Sequence, residues 1–174
     1  SASTVLETKL LMYKLEFLGS AVTPTLALLV ALAYLGYDRW LTVRVVGGLM
    51  LVSVGTIVLV TVNPSQAMIA DPELVRASGI WTFEHAFPPL FATYLAWALG
   101  TALTAGLLVG HGALTGRVRA GPGALVSAAI LLPTAFVVVK VVGVYPPGGR
   151  GLNITPAVNT ASLAMIAVAI GRYR

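Results

Sequence analysis

The sequence predicts an all-α integral membrane protein, a single domain over residues 1–174 built as a bundle of about five transmembrane helices. Two observations carry this. The 174 residues are 57% hydrophobic and 10% charged, whereas a soluble domain carries roughly 25% charged residues, so polar surface is too scarce to wrap a water-soluble globule. The apolar residues also gather into five runs near the roughly 20-residue length that takes a helix across a hydrocarbon core about 30 Å thick. None of these runs alternates with the period of a transmembrane strand.

The runs cover residues 17–37, 45–62, 86–110, 123–145 and 152–171. Ahead of the first, Glu7, Lys9, Lys14 and Glu16 interrupt the apolar residues, so no cleavable signal is expected. Asp38-Arg39-Trp40-Leu41-Thr42-Val43-Arg44 is a tight link between the first two runs, and residues 111–121, with Arg117 and Arg119, join the third to the fourth. The longest polar stretch, 63–85, separates the second run from the third. Within it, Asp71-Pro72-Glu73 reads as an N-cap, a proline at the first helical position and an acid in the first turn, which predicts a short helix over 72–77. Pro146-Pro147-Gly148-Gly149-Arg150-Gly151 reads as the turn before the last run.

Orientation follows from the basic residues. Arg39, Arg44, Arg117, Arg119, Arg172 and Arg174 fall on one side, against Lys9, Lys14, Arg76 and Arg150 on the other. Because cytoplasmic flanks are enriched in Lys and Arg, the C-terminus is expected in the cytoplasm of a multi-pass plasma-membrane protein, and residues 63–85 outside. The net charge of +5 forms no stripe, so the basic residues serve topology and nucleic-acid binding is not expected. With no cysteine in the chain, disulfides, thiolate metal sites and thiolate catalysis are excluded. No phosphate-binding glycine loop, zinc-protease helix or serine-nucleophile elbow is present, and neither a catalytic residue, a cofactor nor a metal is expected.

Five residues are candidates for contacting a ligand: Trp81, Glu84, His85, Tyr94 and Lys140. Ionisable groups inside lipid are costly enough to suggest function. Lys140, however, lies five residues before Tyr145, roughly 7–8 Å from the helix end, so snorkelling to the interface competes with a buried ion pair. Glu84-His85 stands at the mouth of the third run, where a ligand-binding pair and a solvated helix cap are both open readings. Phe87, Phe91, Tyr94 and Trp97 share one helical face, a pattern that serves packing more often than a cofactor. Ala102 and Gly106 form a small-residue pair that permits close helix approach. His111 sits in the glycine-rich turn after the third run without an acidic neighbour.

Short landmarks add a resemblance. Leu15-Glu16-Phe17-Leu18-Gly19 before Pro24, the stretch from Ala33-Tyr34-Leu35-Gly36-Tyr37 through Asp38-Arg39-Trp40-Leu41, Thr61-Val62-Asn63-Pro64, the Trp/His segment 79–94, Leu132-Pro133, Leu152-Asn153-Ile154-Thr155-Pro156 and Ala169-Ile170-Gly171-Arg172-Tyr173-Arg174 occur in this order. Together they resemble the N-terminal seven-transmembrane sensor region of archaeal and bacterial histidine kinases, from its third helix to its seventh. The resemblance implies a non-catalytic sensory domain that relays a signal to a cytoplasmic kinase-type module, in cis or in trans, from within the bilayer. A homodimer or larger membrane complex is compatible with it. The family's first two helices and its kinase have no counterpart here, so the expectation is either a fragment of a longer receptor or a stand-alone relative with a partner. The alternatives are a structural or accessory membrane subunit, and a small transporter, for which an internal repeat is lacking.

Overall fold

The computed structural model describes residues 2–77, 80–86, 88–142 and 155–172. Among these residues, five α-helices alternate in direction: α1 (Ala2–Tyr34), α2 (Val43–Val62), α3 (Pro89–Leu114), α4 (Ala120–Val142) and α5 (Thr155–Arg172), with a two-stranded antiparallel hairpin of β1 (Ala70–Ala77) and β2 (Ile80–Ala86) between α2 and α3. Among the described residues, four helices are long and apolar enough to cross a membrane. In α5 the apolar stretch is Thr160–Ala169, although the helix's 18 residues rise about 27 Å in all. Large apolar side chains face outward along the spans, among them Leu51 at 73% exposure, which is the surface a bilayer covers.

The helices pack in the order α2, α1, α3, α4, α5. Small residues bring α3 and α4 together: a Cβ on Gly106 would meet Leu131 of α4, and Ser127 Oγ donates to the Gly106 carbonyl at 2.8 Å. Thus Gly106, half of the expected small-residue pair, does permit close approach. Between α1 and α2 the buried hydroxyls of Thr25 and Ser53 share a hydrogen bond of 2.8 Å, which satisfies both polar groups inside an apolar layer. Pro24 and Pro133 lie inside α1 and α4.

Several boundaries depart from expectation. α1 begins at Ala2 rather than near residue 17, because Val5, Leu6, Leu10, Leu11 and Met12 continue the apolar pattern past the charges. At about 1.5 Å per residue the helix is about 50 Å long and exceeds a hydrocarbon core. The expected helix over 72–77 is a strand. Asp71 has φ 45°, which is unlike the extended backbone of an N-cap, and the register irregularity between Ala70 and Glu73 accommodates Pro72, which has no N–H to give the ladder. The third span starts at Pro89, after strand β2, so Glu84 and His85 do not cap it. His111 lies in the last turn of α3 rather than in a loop. The expected turn at 146–151 lies outside the described residues.

Candidate functional site

The hairpin end of the bundle is organised by one side chain. Asn63 follows α2 in the left-handed conformation, φ 46°, which asparagine tolerates better than most residues. From there its Oδ1 accepts from the backbone N–H groups of Met68 and Ile69, each at 3.0 Å, and its Nδ2 donates to the Ile69 carbonyl at 2.9 Å. The chain is thereby folded back, and Met68 and Ile69 are driven inward to 1% exposure each. Four residues with positive φ in this segment, Asn63, Ser65, Gln66 and Asp71, mark a backbone held against its local preference, at a cost on the order of 1–3 kcal/mol each. Packing offsets that cost. Phe17, Ala21, Val60, Met68, Ile69 and Phe91 form one buried cluster.

Aromatic rings extend the cluster. Tyr13, Phe17, Phe91, Tyr94 and Trp97 form a chain with centroid separations of 6.3 Å (Tyr13–Phe17), 6.1 Å (Phe17–Phe91), 5.5 Å (Phe17–Tyr94) and 6.0 Å (Tyr94–Trp97), within the range in which rings attract beyond their burial. Phe91 and Tyr94 thus pack on Phe17 of α1, and Trp97 continues the row along α3 through Tyr94. Lys14 of α1 donates to the Thr61 carbonyl of α2 at 2.9 Å, satisfying an acceptor in the last turn of that helix.

Beside the aromatic wall, α2 and α3 part. A groove of about 230 Å³ runs between them, lined by Val52, Thr56 and Leu59 of α2, by Leu90, Thr93, Tyr94 and Trp97 of α3, and by Met68. Among the described residues, no charged side chain lines it. The hydroxyls of Thr56 and Thr93 donate to the carbonyls of Val52 and Pro89 in their own helices.

The opposite end has its own lock. α1 and α3 both finish with a glycine at positive φ, Gly36 at 68° and Gly116 at 73°. The next residue folds its N–H back in each case, Tyr37 to Leu32 O at 2.9 Å and Arg117 to Gly112 O at 2.9 Å, the Schellman pattern that satisfies helix-terminal carbonyls. Arg117 then reaches across. Its Nε donates to Leu35 O at 2.9 Å and its guanidinium lies 4.0 Å from the centroid of the Tyr37 ring.

Of the expected ligand residues, Tyr94 lines the groove. Trp81, Glu84 and His85 are positions of β2, in register so that Trp81 pairs with Arg76 and Glu84 with Glu73. Glu84 and His85 are consecutive positions of that strand. Lys140 is in the last turn of α4. The side chains of Trp81, Glu84, His85 and Lys140, and with them the choice between snorkelling and ion pairing at Lys140, lie outside the described residues. Asn63, Met68 and Arg117 were not among the expected site residues. An Asn-Pro directly after an apolar run was the available signal for the first, and an apolar Met-Ile pair inside a polar loop for the second.

These features define a multi-pass α-helical membrane protein with an apolar groove at one end and an interhelical lock at the other. Across residues 1–174 the chain matches the family described as the N-terminal 7TM region of histidine kinase. It belongs to that family. No curated protein and no solved structure matches it.

Proposed function

We propose that this chain is the membrane-embedded sensory region of a histidine-kinase receptor, without catalysis of its own, and that it relays a signal from its hairpin end to a cytoplasmic output module through α5. Membership of the histidine-kinase 7TM family over residues 1–174 carries this reading. The basic residues Arg39, Arg44, Arg117 and Arg119 all lie in or beside the turns at one end, which supports a cytoplasmic location for that end and for the C-terminus of α5. A signal can shift such a bundle only through different affinities for two helix arrangements. The groove and the strained segment after Asn63 are where that difference is read, and Arg117 holds the turns beside the output.

The test is to join residues 1–174 to a cytoplasmic histidine-kinase module in vesicles and supply radiolabelled ATP. The module is expected to be phosphorylated, residues 1–174 to stay unlabelled, and Asn63→Ala or Arg117→Ala to change the phosphorylation level at equal protein amount. Acid-labile phosphate on His111, absent from a His111→Ala control, would overturn the non-catalytic assignment. Output insensitive to every change at the groove and at Arg117 would overturn the sensory one.

A further inference from the structure

A polar cavity of about 370 Å³ opens at the end of the bundle away from the hairpin, and the described residues lining it are Gly36, Tyr37, Asp38, Arg39 and Arg117. That volume falls within the roughly 300–1,000 Å³ of small-molecule sites. The apolar spans of α1 and α3 stop at Tyr34 and Leu114, and that of α2 starts at Val43, so the cavity lies within a few residues of three span ends. Trp40, next in sequence to Arg39, is 51% exposed, and Trp and Tyr gather at the headgroup layer of a bilayer. Phospholipid phosphates crowd that layer. Two guanidiniums face one carboxylate in the lining, an excess of one positive charge, and among the described residues Asp38 makes no ion pair with either arginine. Arg117 is held ready for an anion. Its Nε is committed to Leu35 O and its face to the Tyr37 ring, which fixes the plane of the guanidinium, while its Nη groups have no acceptor among the described residues. A guanidinium so held presents a fork of N–H groups that matches phosphate oxygens. Two helix C-termini meet here, and their free carbonyls would repel an anion. Three of those carbonyls are engaged: Leu32 O and Gly112 O accept from the backbone N–H groups of Tyr37 and Arg117, and Leu35 O accepts from Arg117 Nε.

We propose that this cavity holds the phosphate of an anionic phospholipid, bound between Arg39 and Arg117, in the leaflet that meets this end of the bundle. Arg39 lies in the turn after α1 and Arg117 just after α3, so one phosphate accepting from both braces the two helix ends, beside the direct bond from Arg117 to Leu35. The excess positive charge selects an anionic headgroup over a zwitterionic one, whose own cation answers its phosphate. The acyl chains stay in the bilayer, and nothing in the cavity selects among them. The inference needs only the membrane fold and stands apart from the sensory reading.

The experiment takes the protein in its natural reading frame in detergent micelles, adds phosphatidylglycerol or phosphatidylcholine with the same acyl chains, and counts retained lipids by native mass spectrometry. Phosphatidylglycerol is expected to be retained about fivefold more than phosphatidylcholine. Arg39→Gln should abolish that preference, and because Arg39 is exposed the change leaves the fold intact. Arg39→Lys, which keeps the charge, should retain most of it. Arg44→Gln removes the same charge from the same end of the bundle but not from the cavity lining, and should leave the preference unchanged. Equal losses from Arg39→Gln and Arg44→Gln would overturn the proposal, since diffuse charge rather than a site then attracts the lipid. Equal retention of the two lipids by the unaltered protein would overturn it as well. Glycerol phosphate, which carries the phosphate without the chains, separates a lipid from a soluble anion. At equal concentration it should fail to displace phosphatidylglycerol, and displacement would assign the cavity to a soluble phosphate and overturn the lipid assignment. Lipid retention is read without kinase output, so its failure leaves the sensory reading standing.

Discussion

The guanidinium of Arg117 lies 4.0 Å from the ring centroid of Tyr37 while its Nε donates to the carbonyl of Leu35. Both residues occupy the same place in their own helix ends, the position just after the left-handed glycine, so one lock joins the terminus of α1 to that of α3. The same junction buries Leu35 to 5% exposure, against Gly112 of α3.

Arg117→Ala is expected to lower stability by about 1–3 kcal/mol, the sum of a charge-assisted hydrogen bond and a cation–π contact at a partly exposed site. Arg117→Lys should recover little of it, because an ammonium cannot donate to Leu35 and lie flat over Tyr37 together. Unfolding of the three proteins in mixed micelles checks this. Full recovery by lysine would show that charge alone matters there.

Asn63 separates backbone strain from side-chain bonding. Asn63→Gly keeps the left-handed conformation and loses three hydrogen bonds of about 0.5–1.5 kcal/mol each. Asn63→Ala loses the same bonds and adds the cost of φ 46° for a residue with a Cβ. Alanine should therefore be the worse by about 1 kcal/mol, and Asn63→Asp, which keeps the acceptor for the Met68 and Ile69 N–H groups, the mildest. Proteolysis of the 63–71 segment at several denaturant concentrations gives the order. Equal effects of glycine and alanine would show that the conformation at 63 carries no strain.

Among the described residues, the four helices long enough to cross a membrane were legible because each needs only a long apolar run. The hairpin was not. Asp71-Pro72-Glu73 has the composition of a helix start, and only pairing with residues 80–86 decides otherwise. Asn63 could be placed after a helix, yet its bonds to Met68 and Ile69 depend on a fold-back that no periodicity encodes. Arg117 meets Leu35 across 82 residues of sequence. The aromatic face holding Tyr94 was readable from spacing, whereas the groove beside it exists only because α2 and α3 both lean on α1 without closing on each other.

Topology is tested by labelling. The chain has no native cysteine, so single cysteines at Ser65 and Thr115, both exposed, report on the two ends of the bundle. In intact cells an impermeant maleimide should modify the residue-65 variant and spare the residue-115 variant until the membrane is opened. The reverse pattern would place the hairpin in the cytoplasm and remove the route by which α5 meets an output module.

The hairpin register sets Glu73 opposite Glu84, and like charges at directly opposed positions destabilise antiparallel pairing by some tenths to about 1 kcal/mol. Glu84→Gln should therefore strengthen the hairpin, and Glu84→Lys should strengthen it further by creating an opposite-charge pair. The gain should shrink as salt is raised, because salt screens the repulsion between charges. Amide hydrogen exchange at Leu74 and Val75, on the strand that carries Glu73, measures the change without requiring the whole bundle to unfold. A double-mutant cycle isolates the pair: once Glu84 is Gln, Glu73→Gln should add little protection, whereas alone it should protect about as much as Glu84→Gln does. Additive effects of the two changes would show that the carboxylates do not interact and that each strains the hairpin for a separate reason.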